Sequence, residues 1–201
     1  ASEAITIVKN ENQILPLRNV SDEKIGYLKL GDDNHDSFLN FLNKYHRIEE
    51  LKIDDNFNYE ILSNYNKIII GFHKSDKSPF EKFRFEKKEV DLIENIKKLT
   101  DLILVVFAKP YSVSDLDIDD IESIVIGYQN SKVFQQKAAQ VIFGAIPAKG
   151  KLPVSIHKNI PVNTQIKTVI LNTVGFSHFL NKGFDENKLN KVDSLINYAI
   201  K

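Results

Sequence analysis

The run Lys67-Ile68-Ile69-Ile70-Gly71-Phe72 ends in His73-Lys74-Ser75-Asp76, which sets an imidazole, a hydroxyl and a carboxylate together after a β-branched segment. A histidine and an aspartate so placed have the groups for proton transfer, and with a nucleophile they would make a hydrolytic dyad. The plainer reading of His73 is a histidine on a surface loop, and no nucleophile is evident beside it. Glycoside hydrolysis needs two carboxylates about 5 to 10 Å apart across a sugar. Asp76 and Glu81 are the carboxylates that this loop offers, although charged loop residues are ordinarily just solvated. The five histidines (His35, His46, His73, His157, His178) show no H-E-x-x-H or other paired spacing, so no metal site is expected. Asp115-x-Asp117-x-Asp119 opens like a calcium loop, but Asp120 stands where that loop needs glycine and Ile126 where it needs glutamate. It reads as an acidic turn. Ser21-x-x-Lys24 has the spacing of a serine–lysine nucleophile pair without the companion motifs. G-x-G-x-x-G and G-x-x-x-x-G-K-[ST] are both missing, which disfavours a nucleotide or flavin site, and no cofactor is expected.

The elements that would position these groups alternate. Lys24–Gly31, Lys67–Phe72, Asp101–Phe107 and Ser123–Ile126 are short apolar runs, of which Lys67–Phe72 has the near-continuous β-branched composition of a strand buried on both faces, and Ile48–Ile53 is a further strand candidate. Between them, Asp36–Tyr45, Glu89–Leu99 and Ser131–Phe143 carry apolar residues at helical spacing, with a weak short helix at Phe57–Tyr65. Ser131 is a candidate N-cap and Gly144 a helix stop. The opening residues 2–8 read as the end of a helix, Ile14–Leu17 as extended, Leu152–Ile156 as an edge-like strand, and Lys167–Leu171 as a further strand candidate. Strands alternating with helices predict an α/β fold: an open, mostly parallel sheet with helices on both faces, an αβα sandwich of flavodoxin-like type. Ligands then meet the loops leaving the carboxyl ends of the strands, here 31–37, 73–85 and 108–120. The residues expected to flank a substrate are His73, Ser75, Asp76, Lys109 and Tyr111.

Composition narrows the function. Lys plus Arg and Asp plus Glu both number 27, the formal net charge is zero, and no basic block marks a nucleic-acid partner. No apolar run is long enough to span a bilayer. Cysteine is absent, which removes disulfides, thiolate metal sites and cysteine nucleophiles. The opening Ala1-Ser2-Glu3-Ala4, without methionine, reads as that of a processed product or an excised piece.

Three segments, in order, resemble the C-terminal αβα domain of glycoside hydrolase family 3. They are Ala1–Glu11 with Leu15-Pro16-Leu17, then Phe107-Ala108-Lys109-Pro110-Tyr111-Ser112, similar to the family's F-G-N-P-Y turn, and lastly Ala138–Gly144 with Ala148-Lys149-Gly150-Lys151-Leu152-Pro153-Val154, similar to its A-x-x-L-x-G and G-K-L-P-V ending. The resemblance spans 1–158. It implies that the nucleophilic aspartate lies on an N-terminal TIM barrel that this chain does not contain. In the β-glucosidase branch the acid/base glutamate sits in a motif like Glu-Gly-x-Asp-Arg, which the loop 73–85 lacks. That departure favours the β-N-acetylglucosaminidase branch, whose histidine–aspartate acid/base pair is on the barrel, and under it no catalytic residue is expected here.

Residues 159–201 read as a linker and an amphipathic helix, Asp185–Ile200, with Leu189, Val192, Leu195, Ile196 and Ala199 on one side. From Gly183 onward this tail resembles the opening of a serine β-lactamase-like domain. The expectation is therefore a supporting and substrate-flanking domain of a retaining exo-glycosidase. Its expected partners are the barrel, a carbohydrate substrate and a downstream β-lactamase-like domain, and the resemblance suggests a periplasmic or extracellular setting. The alternative is a stand-alone α/β module that binds a sugar without catalysis.

Overall fold

The computed structural model describes residues 3–54, 57–75, 82–171, 173–176 and 191. Its strands are β1 (Thr6–Asn10), β2 (Ile25–Gly31), β3 (Ile48–Leu51), β4 (Lys67–His73), β5 (Asp101–Phe107) and β6 (Ser123–Ile126), in the spatial order β1-β6-β5-β4-β2-β3. β2 to β6 run parallel, and β1 closes the β6 edge antiparallel. After β2 the chain steps outward to β3 and then crosses back to β4. The order therefore reverses between β2 and β4, the kind of switch point where an open α/β sheet forms a crevice at its carboxyl edge.

Strand alternation divides the core in two. Leu28, Leu30, Ile68, Ile70, Phe72, Leu104 and Val106 pack with Leu92, Ile93 and Ile96 of α2 (Lys87–Ile96). Ile25, Tyr27, Ile69, Ile103, Val105 and Phe107 pack with Phe38 and Leu42 of α1 (Asp36–Leu42) and with Ala138, Ala139 and Ile142 of α3 (Lys132–Ile142). The period of two sends neighbouring residues to opposite faces, so near-continuous apolar runs are what a sheet covered on both sides requires. α2 starts at a capping box in which the Glu86 and Glu89 side chains satisfy each other's backbone N–H groups. Gly144 stops α3 with φ +67°. Ser131 holds the N-cap position of α3, but its side chain makes no capping hydrogen bond.

Three expectations are overturned. The opening segment is not the end of a helix: Thr6–Asn10 is β1, whose pairing with β6 outweighs the helical composition of Ser2-Glu3-Ala4. Leu152–Ile156 is not a strand. Pro153 has no N–H to give a ladder, and the segment bonds locally, Leu152 N to Thr164 O at 3.0 Å and Ile156 N to Ile160 O at 3.1 Å. Nor do residues 167–171 form a strand. Residues 160–171 lie against the body, with Ile160 buried, Ile166 N donating to Ile7 O at 3.0 Å and Leu171 N to Gly144 O at 2.8 Å. The expected helix 185–200 lies, Lys191 apart, outside the described residues.

Candidate functional site

At the switch point Gly31 pairs with His73 across β2 and β4. Gly31 has φ +80°, and a Cβ there would come within 2.1 Å of the His73 carbonyl oxygen. A glycine is therefore required. It turns the chain so that the N–H groups of Asp32 and Asp33 both donate to that carbonyl, at 3.1 and 3.2 Å.

The His73 side chain points into the α1/α3 face and is fully buried. Its Nε2 is 2.8 Å from the Tyr27 hydroxyl and its Nδ1 is 2.7 Å from Asn130 Oδ1. Gln135 Nε2 also donates to Asn130 Oδ1 at 2.7 Å, which fixes that oxygen as an acceptor. His73 Nδ1–H therefore donates to Asn130, and the Tyr27 O–H donates to Nε2. The chain of bonds goes on: Asn130 Nδ2 and Gln135 Nε2 both reach Asn34 O at 2.8 Å, and Gln135 Oε1 accepts from Phe38 N at 2.9 Å. The Phe107 ring stacks on the imidazole with centroids 4.7 Å apart. Burial lowers the His73 pKa from 6.5 to about 3, against the opposing pull of its Asn130 hydrogen bond. Burial, with Glu50 and Asp36 nearby, raises that of Tyr27 well above 10.0. The imidazole is thus neutral, and both its nitrogens are committed inside the protein.

Gly71 makes this possible, because a Cβ there would lie 2.5 Å from His73 Nε2 and 2.6 Å from the Tyr27 hydroxyl. On the rim, His35 stacks on Tyr27 with centroids 5.6 Å apart and places Nε2 2.7 Å from Glu50 Oε1. Among the described residues, the imidazole–carboxylate pair of this edge is therefore His35 with Glu50.

The other expected residues sit on two neighbouring loops. Lys74 is buried up to its ammonium, which meets Asp32 Oδ2 at 3.0 Å, and Ser75 after it is half-buried. Asp76 and Glu81 lie outside the described residues. Lys109 and Tyr111 enter the turn Pro110–Asp115 after β5. Tyr111 is 44% exposed, and Lys109 Nζ sits 5.0 Å from the centre of the Phe83 ring. Ser112 in the same turn is buried, and its Oγ has no hydrogen-bond partner among the described residues. The structure thus gathers His73, Ser75, Lys109 and Tyr111 at one edge of the sheet, with His73 beneath it and Tyr111 on the surface. Among the described residues no group of three or more His, Asp or Glu side chains is arranged to hold a metal ion.

A family model described as the glycosyl hydrolase family 3 C-terminal domain matches residues 5–195. The chain belongs to this family. No curated protein matches it. Among solved structures, it is similar to a fungal multi-domain family 3 β-N-acetylglucosaminidase (TM-score 0.63, 21% identity), sharing 78% of this chain and 18% of that one. A β-glucoside phosphorylase matches with TM-score 0.59 at 16% identity over 77% of this chain and 30% of its own. A family 3 β-N-acetylglucosaminidase from Paenibacillus sp. matches with TM-score 0.57 at 16% identity over 80% and 32%. The family 3 domain described here therefore spans only 18–32% of the length of these proteins. No helix among its described residues is long and apolar enough to cross a membrane.

The polar network around His73 in this family 3 domain has no spacing signature in the sequence. Asn34 precedes α1 whereas Asn130 and Gln135 stand at the start of α3, and bonds such as Phe38 N to Gln135 span 97 residues. One signal was present. A tyrosine inside a strand buried on both faces needs a partner for its hydroxyl, and Tyr27 in β2 is such a residue.

Proposed function

We propose that this chain is the supporting and substrate-flanking α/β domain of a retaining exo-glycosidase acting on β-linked N-acetylglucosamine or glucose, with the chemistry supplied by an N-terminal TIM barrel. The observation that carries the reading is the closed state of His73. A general acid or base must present a titratable atom to its substrate, whereas this imidazole is buried, neutral down to about pH 3, and bonded at both nitrogens. Membership in family 3 supports the same division of labour. His73 then flanks substrate indirectly, by fixing the loop at Asp32 and Asp33 through its carbonyl. Ser75, Lys109 and Tyr111 present the surface that faces the barrel's sugar pocket, and Asp76, next after Ser75 in the sequence, is proposed as a further substrate-flanking residue. The tail leads toward a serine β-lactamase-like domain.

The test is turnover of chromogenic β-N-acetylglucosaminide and β-glucoside by the chain alone and with the barrel supplied as a separate polypeptide. Silence alone and activity on reconstitution is the expected result. Turnover by the chain alone that disappears in His73→Ala would overturn the proposal.

A further inference from the structure

We propose that β3 is a docking edge for a second copy of this chain, the two β3 strands pairing antiparallel about a two-fold axis so that one sheet runs through both copies. β3 stands last in the strand order and pairs with β2 alone. Its outer side therefore offers unpaired backbone groups that a strand of another chain can take up. Their direction follows from Ile48, whose N–H turns away from β2 to Asn43 Oδ1 at 3.0 Å. By the period of two, the backbone groups of Glu50 and Lys52 face outward as well.

The side chains at these outward positions carry opposite charges and are exposed. Glu50 lies on the α1/α3 face, where its Oε1 is 2.7 Å from His35 Nε2 and His35 stacks on Tyr27. Lys52, two residues on, shares that face. A two-fold pairing centred on Leu51 sets each Glu50 opposite the other copy's Lys52, and the facing residues exchange their N–H and C=O groups. On the α2 face the same register brings the two half-buried Leu51 side chains together, beside Ile53, which is 37% exposed. A centre at Glu50 would instead set glutamate against glutamate. A centre at Lys52 would set lysine against lysine and Glu50 against Asp54. Like charges directly opposite are destabilising, so of these three registers the one at Leu51 is favoured. An edge guarded by charges of one sign repels its own copy, whereas the order Glu50-Leu51-Lys52 is complementary to itself when reversed. The inference does not rest on the glycosidase reading.

The experiment is sedimentation velocity of the full chain from about 10 μM to about 1 mM, the range in which a small interface associates, with amide hydrogen exchange over the same range. The mass should rise from monomer toward dimer, and exchange at Glu50 and Lys52 should slow as it does. Glu50→Lys and Lys52→Glu each set like charges opposite one another at both pairs, and each should weaken dimerisation about tenfold or more. An equimolar mixture of the two variants should dimerise again, because every facing pair is then lysine with glutamate. A monomer throughout the range, association without slowed exchange at Glu50 and Lys52, or a mixture no heavier than its separate variants would each overturn the proposal.

Discussion

The two faces of the sheet at the β2 and β4 ends are built on opposite principles. On the α1/α3 face, a polar network in which donors meet acceptors runs from the buried Tyr27, His73 and Gln135 through half-buried Asn130 to exposed Asn34, with Gly71 sized to admit it. On the α2 face, Phe57, Tyr59, Lys88 and Glu89 border an open groove in which the aromatic rings keep exposed surface. A saturated network gives rigidity and holds a loop in one place, because breaking one bond orphans a group in a low-dielectric interior. An open groove gives up that stability and keeps polar atoms accessible to solvent. The same strand ends thus serve as scaffold on one side and as surface on the other.

The sharpest way to break this contrast is Gly71→Ala. The new Cβ would lie within 2.6 Å of both partners of the Tyr27–His73 bond, and overpacking together with a lost buried hydrogen bond should cost about 3 kcal/mol or more in denaturant unfolding. Wild-type stability in that variant would mean the network is looser than described. His73→Ala comes next, at about 2–4 kcal/mol, since it leaves a cavity and strands the Tyr27 hydroxyl.

The pH dependence tests the same residue with a definite sign. The folded pKa of about 3 lies below the ordinary histidine value of 6.5, so the unfolded chain binds the proton more readily. The stability is fully present above about pH 6.5 and is lost as the pH falls toward 3, with a ceiling of roughly 4–5 kcal/mol at about 1.4 kcal/mol per unit. Carboxylates add their own acid slope, so the informative quantity is the difference from His73→Gln, which should lose this part of the slope. Equal slopes in the two proteins would show that His73 titrates freely in the fold. Gln135→Ala is smaller still, about 1–2 kcal/mol, because it removes bonds to Asn34, Asn130 and Phe38 but leaves His73 its two partners.

The contrast also explains what could be read from the sequence. β2, β4, β5, β6 and the helices α1, α2 and α3 were legible because their burial is written as runs and helical periods along the chain. β1 was not: a five-residue edge strand takes its conformation from β6, more than a hundred positions away. Pro153 misled in the other direction, since an apolar stretch at 152–156 looks like a strand until its missing N–H is counted. His73 was found by its position at a strand end, but its state was not. Burial and the reach of Asn130 decide that state, and neither has a spacing signature. The groove was invisible for a related reason: Phe57 and Tyr59 are neighbours in sequence, but Glu89 joins them only through its bonds to Gly31 and Glu86.

The smallest expected effect on stability separates surface from scaffold most cleanly. Tyr111 is 44% exposed at the start of the turn after β5, so Tyr111→Ala should change the unfolding free energy by no more than about 0.5 kcal/mol. If its ring flanks the sugar in the assembled enzyme, the same substitution should raise KM in the reconstituted barrel assay with kcat little changed, the pattern of a lost ground-state contact. An unchanged KM would remove Tyr111 from the flanking surface. A large loss of stability would instead make it part of the scaffold, and the division between the rigid edge and the open one would have to be redrawn at β5.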